Sequence, residues 1–205
     1  LPKWHNDKVG SAAHIHQSLW KDGKPAFFDD TDPLGMSPLM KQYLAGLLSH
    51  SAEITYFLAP YINSYKRFAR GTFAPTRIIW SVDNRTAGYR ICGDGTAGVR
   101  VECRIGGSDM NPYLAMAAQL AAGLSGIESA MTLPDAAKGD VYKGRTAMLP
   151  TTLRDARAAL LKSKMLRTAF GADVVQHYAR AAEWEIEEFD RIVTDYEVAR
   201  GFERA

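Results

Sequence analysis

The stretch Val99-Arg100-Val101-Glu102-Cys103-Arg104-Ile105 alternates apolar and charged residues without a break. Because side chains on a β-strand point to opposite faces in turn, this pattern predicts a strand with one apolar face and one charged face. The charged face carries Arg100, Glu102 and Arg104. Two interpretations of that face fit the pattern. It is either a salt-bridged surface open to solvent, or the wall of a cleft in which Glu102 holds a divalent cation and the arginines hold phosphate or carboxylate oxygens.

Other strand-like segments precede this one, and helical patterns lie on both sides of them. The strand-like segments are 13–20, 78–82 and 89–92. Gly and Asn separate the segments between 61 and 105, which favours two or three antiparallel strands there. Apolar residues at helical spacing predict helices over 37–48, 52–58, 111–127, 152–161 and 172–199. The order of these elements predicts an α+β fold.

The two longest predicted helices each have an apolar stripe that is expected to face the core. In the first helix the stripe consists of Tyr113, Leu114, Met116, Ala117, Leu120, Leu124 and Ile127. In the second helix it consists of Val175, Tyr178, Ala182, Ile186, Phe189, Val193 and Tyr196. Both stripes are predicted to be buried.

Composition places the chain among globular proteins. It has 205 residues, 46% apolar residues and a formal net charge of +2, which excludes a largely disordered, collagen-like or rod-like chain. The net charge is too small to indicate a nucleic-acid partner. The longest apolar stretch, 114–124, is about half a membrane span, so no membrane partner is expected. Two cysteines cannot form a disulfide framework, which favours a reducing, cytoplasmic location.

Positive charge is concentrated in the middle of the chain. Residues 61–104 contain eight basic and three acidic residues, a net charge of +5, whereas the rest of the chain has a net charge of −3. Arg67, Arg85 and Arg90 lie in this stretch together with the arginines of the alternating strand, so an anionic ligand is expected there. Scattered surface arginines are the alternative interpretation.

A second alternating segment, Ala13-His14-Ile15-His16-Gln17-Ser18, places two imidazoles and a hydroxyl on one face of a predicted strand. This combination suits a metal ion and the anion that it binds. Carboxylate and imidazole ligands around a magnesium or manganese ion would join His14 and Glu102 in one site, so these two side chains are expected to approach each other. The alternative is a pair of partly exposed histidines on a sheet.

Taken in order, these motifs resemble those of the glutamine synthetase family. The motifs lie within residues 9–127, and they are Gly10-Ser11-x-x-His14-x-His16-x-Ser18-Leu19; Asn63-Ser64-Tyr65-Lys66-Arg67 with Ala74-Pro75, Trp80-Ser81, Asn84-Arg85-Thr86 and Arg90; Glu102-x-Arg104; and Asn111-Pro112-Tyr113-Leu114. The resemblance implies a partial catalytic domain of the glutamine synthetase and guanido kinase type, with an antiparallel half-barrel sheet and flanking helices. Residues 1–205 would be the C-terminal part of that domain, without the N-terminal β-grasp domain and the first part of the catalytic domain.

The implied activity is ATP-dependent ligation of an amine to the γ-carboxylate of glutamate through γ-glutamyl phosphate. The implied partners are glutamate, ATP, a small amine and Mg²⁺ or Mn²⁺. The implied assembly is a homo-oligomer, which is a dodecamer in full-length members of the family. Because further metal-binding carboxylates would lie outside these residues, the isolated chain is expected to be inactive.

The resemblance also implies roles for individual residues. The metal ligands would be His14 and Glu102. The residues facing ATP would be His16, Ser18, Arg85 and Arg90. The residues binding the substrates would be Gly10, Arg67 and Arg104 for glutamate, and Phe73 for the amine. The catalytic residues would be Arg67 and Arg85, since positioning and charge neutralisation carry most of the catalysis in phosphoryl transfer.

Three positions depart from the pattern of ammonia-using members. Val9 stands where they typically have Asn, Phe73 where they have an acidic residue that accepts a proton from ammonium, and Thr96 and Ala97 where a lysine is expected. A phenyl ring cannot accept a proton, and the run Gly71-Thr72-Phe73-Ala74-Pro75 looks like that of relatives that ligate polyamines, alkylamines or ethanolamine. An organic amine is therefore the predicted substrate. A true glutamine synthetase that uses ammonia and a non-catalytic scaffold that keeps the fold are the alternatives.

Overall fold

A four-stranded sheet lies at the centre of the computed structural model, which describes residues 1–204. Its strands are β1 (Ile15–Gln17), β4 (Trp80–Val82), β5 (Tyr89–Cys92) and β6 (Arg100–Cys103), in the spatial order β1-β6-β5-β4. A separate hairpin pairs β2 (Trp20–Lys21) with β3 (Lys24–Pro25). The helices are α1 (Pro38–Ser49), α2 (Ser51–Leu58), α3 (Ile62–Tyr65), α4 (Pro112–Glu128), α5 (Leu153–Lys162), α6 (Lys164–Phe170), α7 (Ala172–Asp190) and α8 (Asp195–Phe202). The predicted α+β class, with a partial sheet and flanking helices, is confirmed.

Strand β6 lies between β1 and β5 and is antiparallel to both. The register places Glu102 directly opposite His16 on one side and Arg90 on the other. Residues directly opposite one another share a face of the sheet, so the register sets one carboxylate between an imidazole and a guanidinium. Val101 and Cys103 alternate with Glu102 and are buried in the apolar core.

One strand pairing differs from the predicted antiparallel arrangement, because β4 runs parallel to β5. Residues 83–88 form a loop that carries the chain back alongside β4, instead of the tight turn that an antiparallel hairpin would need. Asn84 fixes this loop. Its Oδ1 accepts hydrogen bonds from N (2.9 Å) and Oγ1 (2.7 Å) of Thr86, and its Nδ2 donates to the carbonyl oxygen of Gly139 (2.7 Å).

Helices α1, α4 and α5 begin where capping residues in the sequence predict. Ser37, Asn111 and Thr152 are their N-caps, and each side-chain oxygen accepts a hydrogen bond from a main-chain N–H of the first turn. This contact satisfies a donor that has no partner within the helix. Pro38 and Pro112 occupy the first helical position, where their missing N–H costs nothing.

The predicted stripe of α4 is wrong at five of its seven positions, because this helix buries a different face. Leu114 and Ile127 are half-buried and pack against the core, whereas Tyr113, Met116, Ala117, Leu120 and Leu124 are exposed. The buried residues are Ala115, Ala118, Gln119, Ala122, Gly123 and Gly126. The small residues let α4 lie closely against α1, since a Cβ on Gly46 would be only 2.2 Å from the carbonyl oxygen of Ala122. Close approach of the two backbones, and not the number of large apolar side chains, decides which face is buried.

The single helix predicted over 172–199 is in fact two helices, α7 and α8. Oγ1 of Thr194 accepts a hydrogen bond from N of Glu197 (3.2 Å), and the Glu197 carboxylate accepts one from N of Thr194 (2.8 Å). This capping box starts a new helix and interrupts the old one over 191–194. The predicted stripe is buried at Val175, Ala182 and Ile186, half-buried at Tyr178, and exposed at Phe189, Val193 and Tyr196.

Helices α3 and α6 lie in segments without visible helical periodicity. They have four and seven residues, too few for an apolar stripe to repeat. Ser163 both ends α5 and caps α6, since its Oγ accepts a hydrogen bond from N of Leu166 (3.0 Å). Across residues 1–204, the helices are all too short or too polar to cross a membrane.

Candidate active site

Glu102 lies at the centre of a group of polar side chains on the sheet. Its Oε2 is 2.5 Å from Nε of Arg90, and its Oε1 is 3.0 Å from Nη1 of Arg104. Oε1 is also 3.0 Å from Nδ1 of His14 and 3.7 Å from Nε2 of His16. We call these five residues the Glu102 group. Glu102 is only 2% exposed, so the interpretation of the charged face as a solvent surface is wrong, and the cleft interpretation fits.

The two imidazoles of the Glu102 group favour the neutral form. Burial lowers the pKa of His14, and the positive charge of Arg104 lowers it further, against the opposing effect of Glu102. Burial is also the main reason that the pKa of His16 is lowered. A neutral imidazole has a free lone pair on one ring nitrogen, so both histidines are in the form that can bind a cation.

The expected approach of His14 and Glu102 is confirmed by the 3.0 Å separation of their nearest atoms. An imidazole nitrogen beside a carboxylate oxygen is a donor set that fits a divalent cation such as Mg²⁺ or Mn²⁺. Within residues 1–204, no group of three or more His, Cys, Asp or Glu side chains is arranged to hold a metal. The described chain therefore offers a pair of ligands, fewer than either ion requires.

Arg67 and Gly10 lie together near the end of β6. Arg67 is buried, burial lowers its pKa to about 10, and its Nη2 donates hydrogen bonds to the carbonyl oxygens of Arg104 (3.4 Å) and Gly106 (3.0 Å). A Cβ on Gly10 would be 2.6 Å from Cγ of Arg67, so a larger residue would not fit there. In this arrangement Arg67 supports the main chain that carries Arg104. Its binding of a glutamate carboxylate stays a prediction.

A cavity of about 730 Å³ adjoins the Glu102 group, and its wall includes Phe73, Asp83, Arg85 and Lys138. We call it the Phe73 cavity. Nε of Arg104 donates a hydrogen bond to the carbonyl oxygen of Arg85 (3.1 Å), which ties the cavity wall to the Glu102 group. Phe73 is 58% exposed and has a φ of +58°, a left-handed conformation that bulky residues rarely adopt. The structure thus brings two predicted site residues, Phe73 and Arg85, to one cavity.

Ser18 does not contact the Glu102 group, whereas Arg100 contacts one of its members, His16. The exposed Ser18 lies beyond the end of β1, and its Oγ accepts a hydrogen bond from Nε1 of Trp20 (3.1 Å). Nε of Arg100 donates to Nδ1 of His16 (3.3 Å). The alternating strand predicts Arg100 as a ligand of phosphate or carboxylate oxygens, whereas the family resemblance assigns it no role.

A larger groove of about 1010 Å³ lies elsewhere and is lined by residues of α2, α4 and α7, including Tyr56, Leu114 and Trp184. None of the predicted site residues is part of its wall. Size alone would favour this groove, but the side chains suited to phosphoryl transfer surround Glu102 and the Phe73 cavity. We therefore place the candidate active site there, on chemistry and not on volume.

Comparison with known proteins identifies the family. Residues 1–201 match the model of the glutamine synthetase catalytic domain. The chain belongs to the glutamine synthetase family. Its fold is similar to the solved structure of GmaS without ligand, with a TM-score of 0.86 and 32% identity over 96% of this chain and 46% of that chain. The resemblance predicted from the sequence motifs is confirmed.

Relatives in the glutamine synthetase family include enzymes named for different products. Gamma-glutamylethanolamide synthetase GlnA4 of Streptomyces coelicolor is 45% identical over 98% of this chain and 43% of its own length. Glutamate–isopropylamine ligase of Pseudomonas sp. is 36% identical over 93% of this chain and 42% of its own length. The glutamine synthetase of Thermus thermophilus is 38% identical over 98% of this chain and 47% of its own length. The chain thus spans less than half the length of these relatives. Two are named for organic amines and one for glutamine, so similarity does not choose the amine.

Proposed function

We propose that the complete protein to which these residues belong ligates an amine to the γ-carboxylate of glutamate, with ATP as co-substrate and γ-glutamyl phosphate as intermediate. The observation that carries this proposal is the Glu102 group, a buried carboxylate held by two guanidiniums and two imidazoles beside an open cavity. Membership of the glutamine synthetase family supports the same reaction class.

In the first step, an oxygen of the glutamate γ-carboxylate attacks the γ-phosphorus of ATP, and ADP leaves. Negative charge is spread over the transferring phosphoryl oxygens, and we assign its neutralisation to the guanidiniums of Arg85 and Arg90. The Glu102 carboxylate holds Nε of Arg90, so the Arg90 side chain needs little reorganisation during the reaction. Mg²⁺ or Mn²⁺, held by His14 and Glu102, would supply further neutralisation of the ATP phosphates when bound.

In the second step, the amine nitrogen attacks the carbonyl carbon of γ-glutamyl phosphate. The amine reacts as its free base: the new C–N bond forms, the C–O bond to phosphate breaks, and the proton lost from nitrogen passes to the departing phosphate, so the products are the γ-glutamyl amide and inorganic phosphate. We assign the binding of a glutamate carboxylate to Arg104, which Glu102 holds at 3.0 Å. We assign to Phe73, which is part of the cavity wall, the role of keeping water from the acyl phosphate.

Family membership also supports proposals about the complete protein. We propose that residues 1–205 are the C-terminal part of the catalytic domain, with a β-grasp domain and further metal-binding carboxylates outside them. We also propose that the complete protein is cytoplasmic and forms a homo-oligomer, a dodecamer as in full-length members. Because residues 1–204 hold only a pair of suitable ligands, the chain on its own is expected to show no ligation.

Phe73 is expected to make an organic amine a better substrate than ammonia. Each methylene of an amine tail that is buried against the ring contributes about 0.8 kcal/mol. A tail of three or four methylenes should therefore favour the organic amine by roughly 2–3 kcal/mol, on the order of a hundredfold in kcat/KM. The measurement compares ammonium with a panel of alkylamines, ethanolamine and polyamines, using the complete protein.

Replacing Phe73 by Glu supplies a matched test of this preference. The carboxylate should attract ammonium and lower the advantage of the apolar tail, so Phe73→Glu is expected to move the kcat/KM ratio towards ammonium. Phe202→Glu, at a residue 82% exposed on α8, should leave the ratio unchanged. Ammonium that equals or exceeds every organic amine in the unmodified protein would contradict the preference and indicate a true glutamine synthetase.

A further inference from the structure

The Phe73 cavity contains a carboxylate that the proposed mechanism leaves unused. Among the described residues of its wall, Asp83 is the one carboxylate. Its side chain is 83% exposed, and its nearest cationic partner is Nη1 of Arg90, which is 3.9 Å from Oδ1. Arg90 is already engaged more closely by Glu102 through Nε. Asp83 is therefore free to accept hydrogen bonds from a cation that enters the cavity.

The amine arrives at this place as a cation and must lose a proton before its nitrogen can attack. Primary amines carry a positive charge near pH 7, and the attacking nitrogen must come within bonding reach of the carbonyl carbon that bears the phosphoryl group. The residue that binds the phosphoryl group and the residue that binds the ammonium must then face the same space. Asp83 and Arg85 are two positions apart on one loop and both line the Phe73 cavity, which meets that requirement.

The backbone holds Asp83 in an unusual conformation. In residues 1–204, the non-glycine residues with positive φ are Asp22, Phe73, Asp83 and Ala130. Two of these four line the Phe73 cavity, and such conformations persist where the surroundings enforce them. Hydrogen bonds hold this conformation. The main-chain N–H of Asp83 donates to the carbonyl oxygen of Ile91 (3.0 Å), and the side chain of the next residue, Asn84, donates to Gly139 and accepts from Thr86.

We propose that Asp83 binds the ammonium end of the amine substrate, while Phe73 covers the apolar tail, so that this pair sets the amine specificity. The inference rests on the proposed ligase function and assigns a recognition residue within it. Lys138 also lines the cavity and repels the same cation. Removing its charge should therefore have the opposite effect to removing that of Asp83.

The test compares Asp83→Asn and Lys138→Met with the unmodified complete protein, and KM is measured separately for the amine, ATP and glutamate. Asp83→Asn keeps the size of the side chain, and Asn tolerates positive φ, so the fold should be retained. KM for the amine is expected to rise roughly ten- to hundredfold, the loss typical of one charge-assisted hydrogen bond. KM for ATP and glutamate should stay within about twofold. Lys138→Met should lower KM for the amine.

The control is Asp22→Asn, because Asp22 is also exposed and also has positive φ, yet lies in the β2–β3 turn outside the cavity. It should leave every KM unchanged. An unchanged amine KM in Asp83→Asn would overturn the proposal, and so would a rise confined to KM for ATP, which would assign Asp83 to the positioning of Arg90. If the unmodified protein formed no amide with any amine, the proposed ligase function itself would be contradicted. That result differs from the two outcomes for Asp83→Asn, which contradict only the role of Asp83.

Discussion

Replacing Glu102 by Gln is expected to destabilise the folded chain by about 3–5 kcal/mol, the usual cost of removing one partner from a buried ion pair. The physical reason is that Glu102 is 2% exposed and neutralises two guanidiniums at once, Arg90 at 2.5 Å and Arg104 at 3.0 Å. Gln keeps the size of the side chain but leaves both positive charges next to each other without their buried counter-charge, and the exposed Asp83, 3.9 Å from Arg90, cannot replace it. Denaturant unfolding of the chain measures the loss.

The same substitution should reduce ligation by the complete protein on the order of a thousandfold or more, since it removes a proposed metal ligand and loosens two proposed substrate-binding arginines. Glu128→Gln is the control, because Glu128 is exposed at the end of α4. This substitution should change the free energy of unfolding by less than about 0.5 kcal/mol. A Glu102→Gln protein with normal stability and normal turnover would show that this carboxylate does not organise the site.

The second large effect is expected at the crossing of α1 and α4, where Gly46→Ala should destabilise the chain by about 3 kcal/mol or more. The new Cβ would lie 2.2 Å from the carbonyl oxygen of Ala122 and 2.7 Å from N of Gly126. These are backbone atoms within a helix, so the helices must move apart and open the core. In an open helix, Ala for Gly would instead stabilise by about 1 kcal/mol, so the clash decides the sign.

Gly201→Ala on α8 is the matched control for this substitution. Nothing lies within 4 Å of the Cβ that would be added there, and α8 buries none of its side chains. Its effect on the free energy of unfolding should be within about 0.5 kcal/mol and, if detectable, stabilising. Equal unfolding midpoints for Gly46→Ala and the unmodified chain would contradict the close crossing of α1 and α4.

The strand that carries Glu102 was predictable because its alternation is local and unbroken. Its register was not predictable from spacing alone, since register depends on the partner strands and their loops. The pairing of Glu102 with both His16 and Arg90 follows from that register. The parallel pairing of β4 with β5 depends on the loop around Asn84, whose hydrogen bonds to a distant loop leave no trace in local periodicity.

Errors in the predicted core have a related cause. The apolar stripe of α4 was assigned by size, but Gly46 and Gly126 show that contact between small residues set the buried face. Asp83 is likewise absent from the site residues predicted from the sequence. Its place in the Phe73 cavity emerges from the folding of residues 136–139 against its loop, which no local pattern encodes.

The most direct test of the central claim follows an oxygen atom. Glutamate labelled with ¹⁸O in its γ-carboxylate is incubated with the complete protein, ATP, Mg²⁺ and an organic amine, and the inorganic phosphate is analysed by mass spectrometry. If the γ-carboxylate attacks ATP and the amine then displaces phosphate, one labelled oxygen passes into phosphate for each γ-glutamyl amide formed. We predict that the amount of ¹⁸O-labelled phosphate equals the amount of γ-glutamyl amide formed. Unlabelled phosphate alongside amide formation, or phosphate release without any amide, would contradict ligation through γ-glutamyl phosphate.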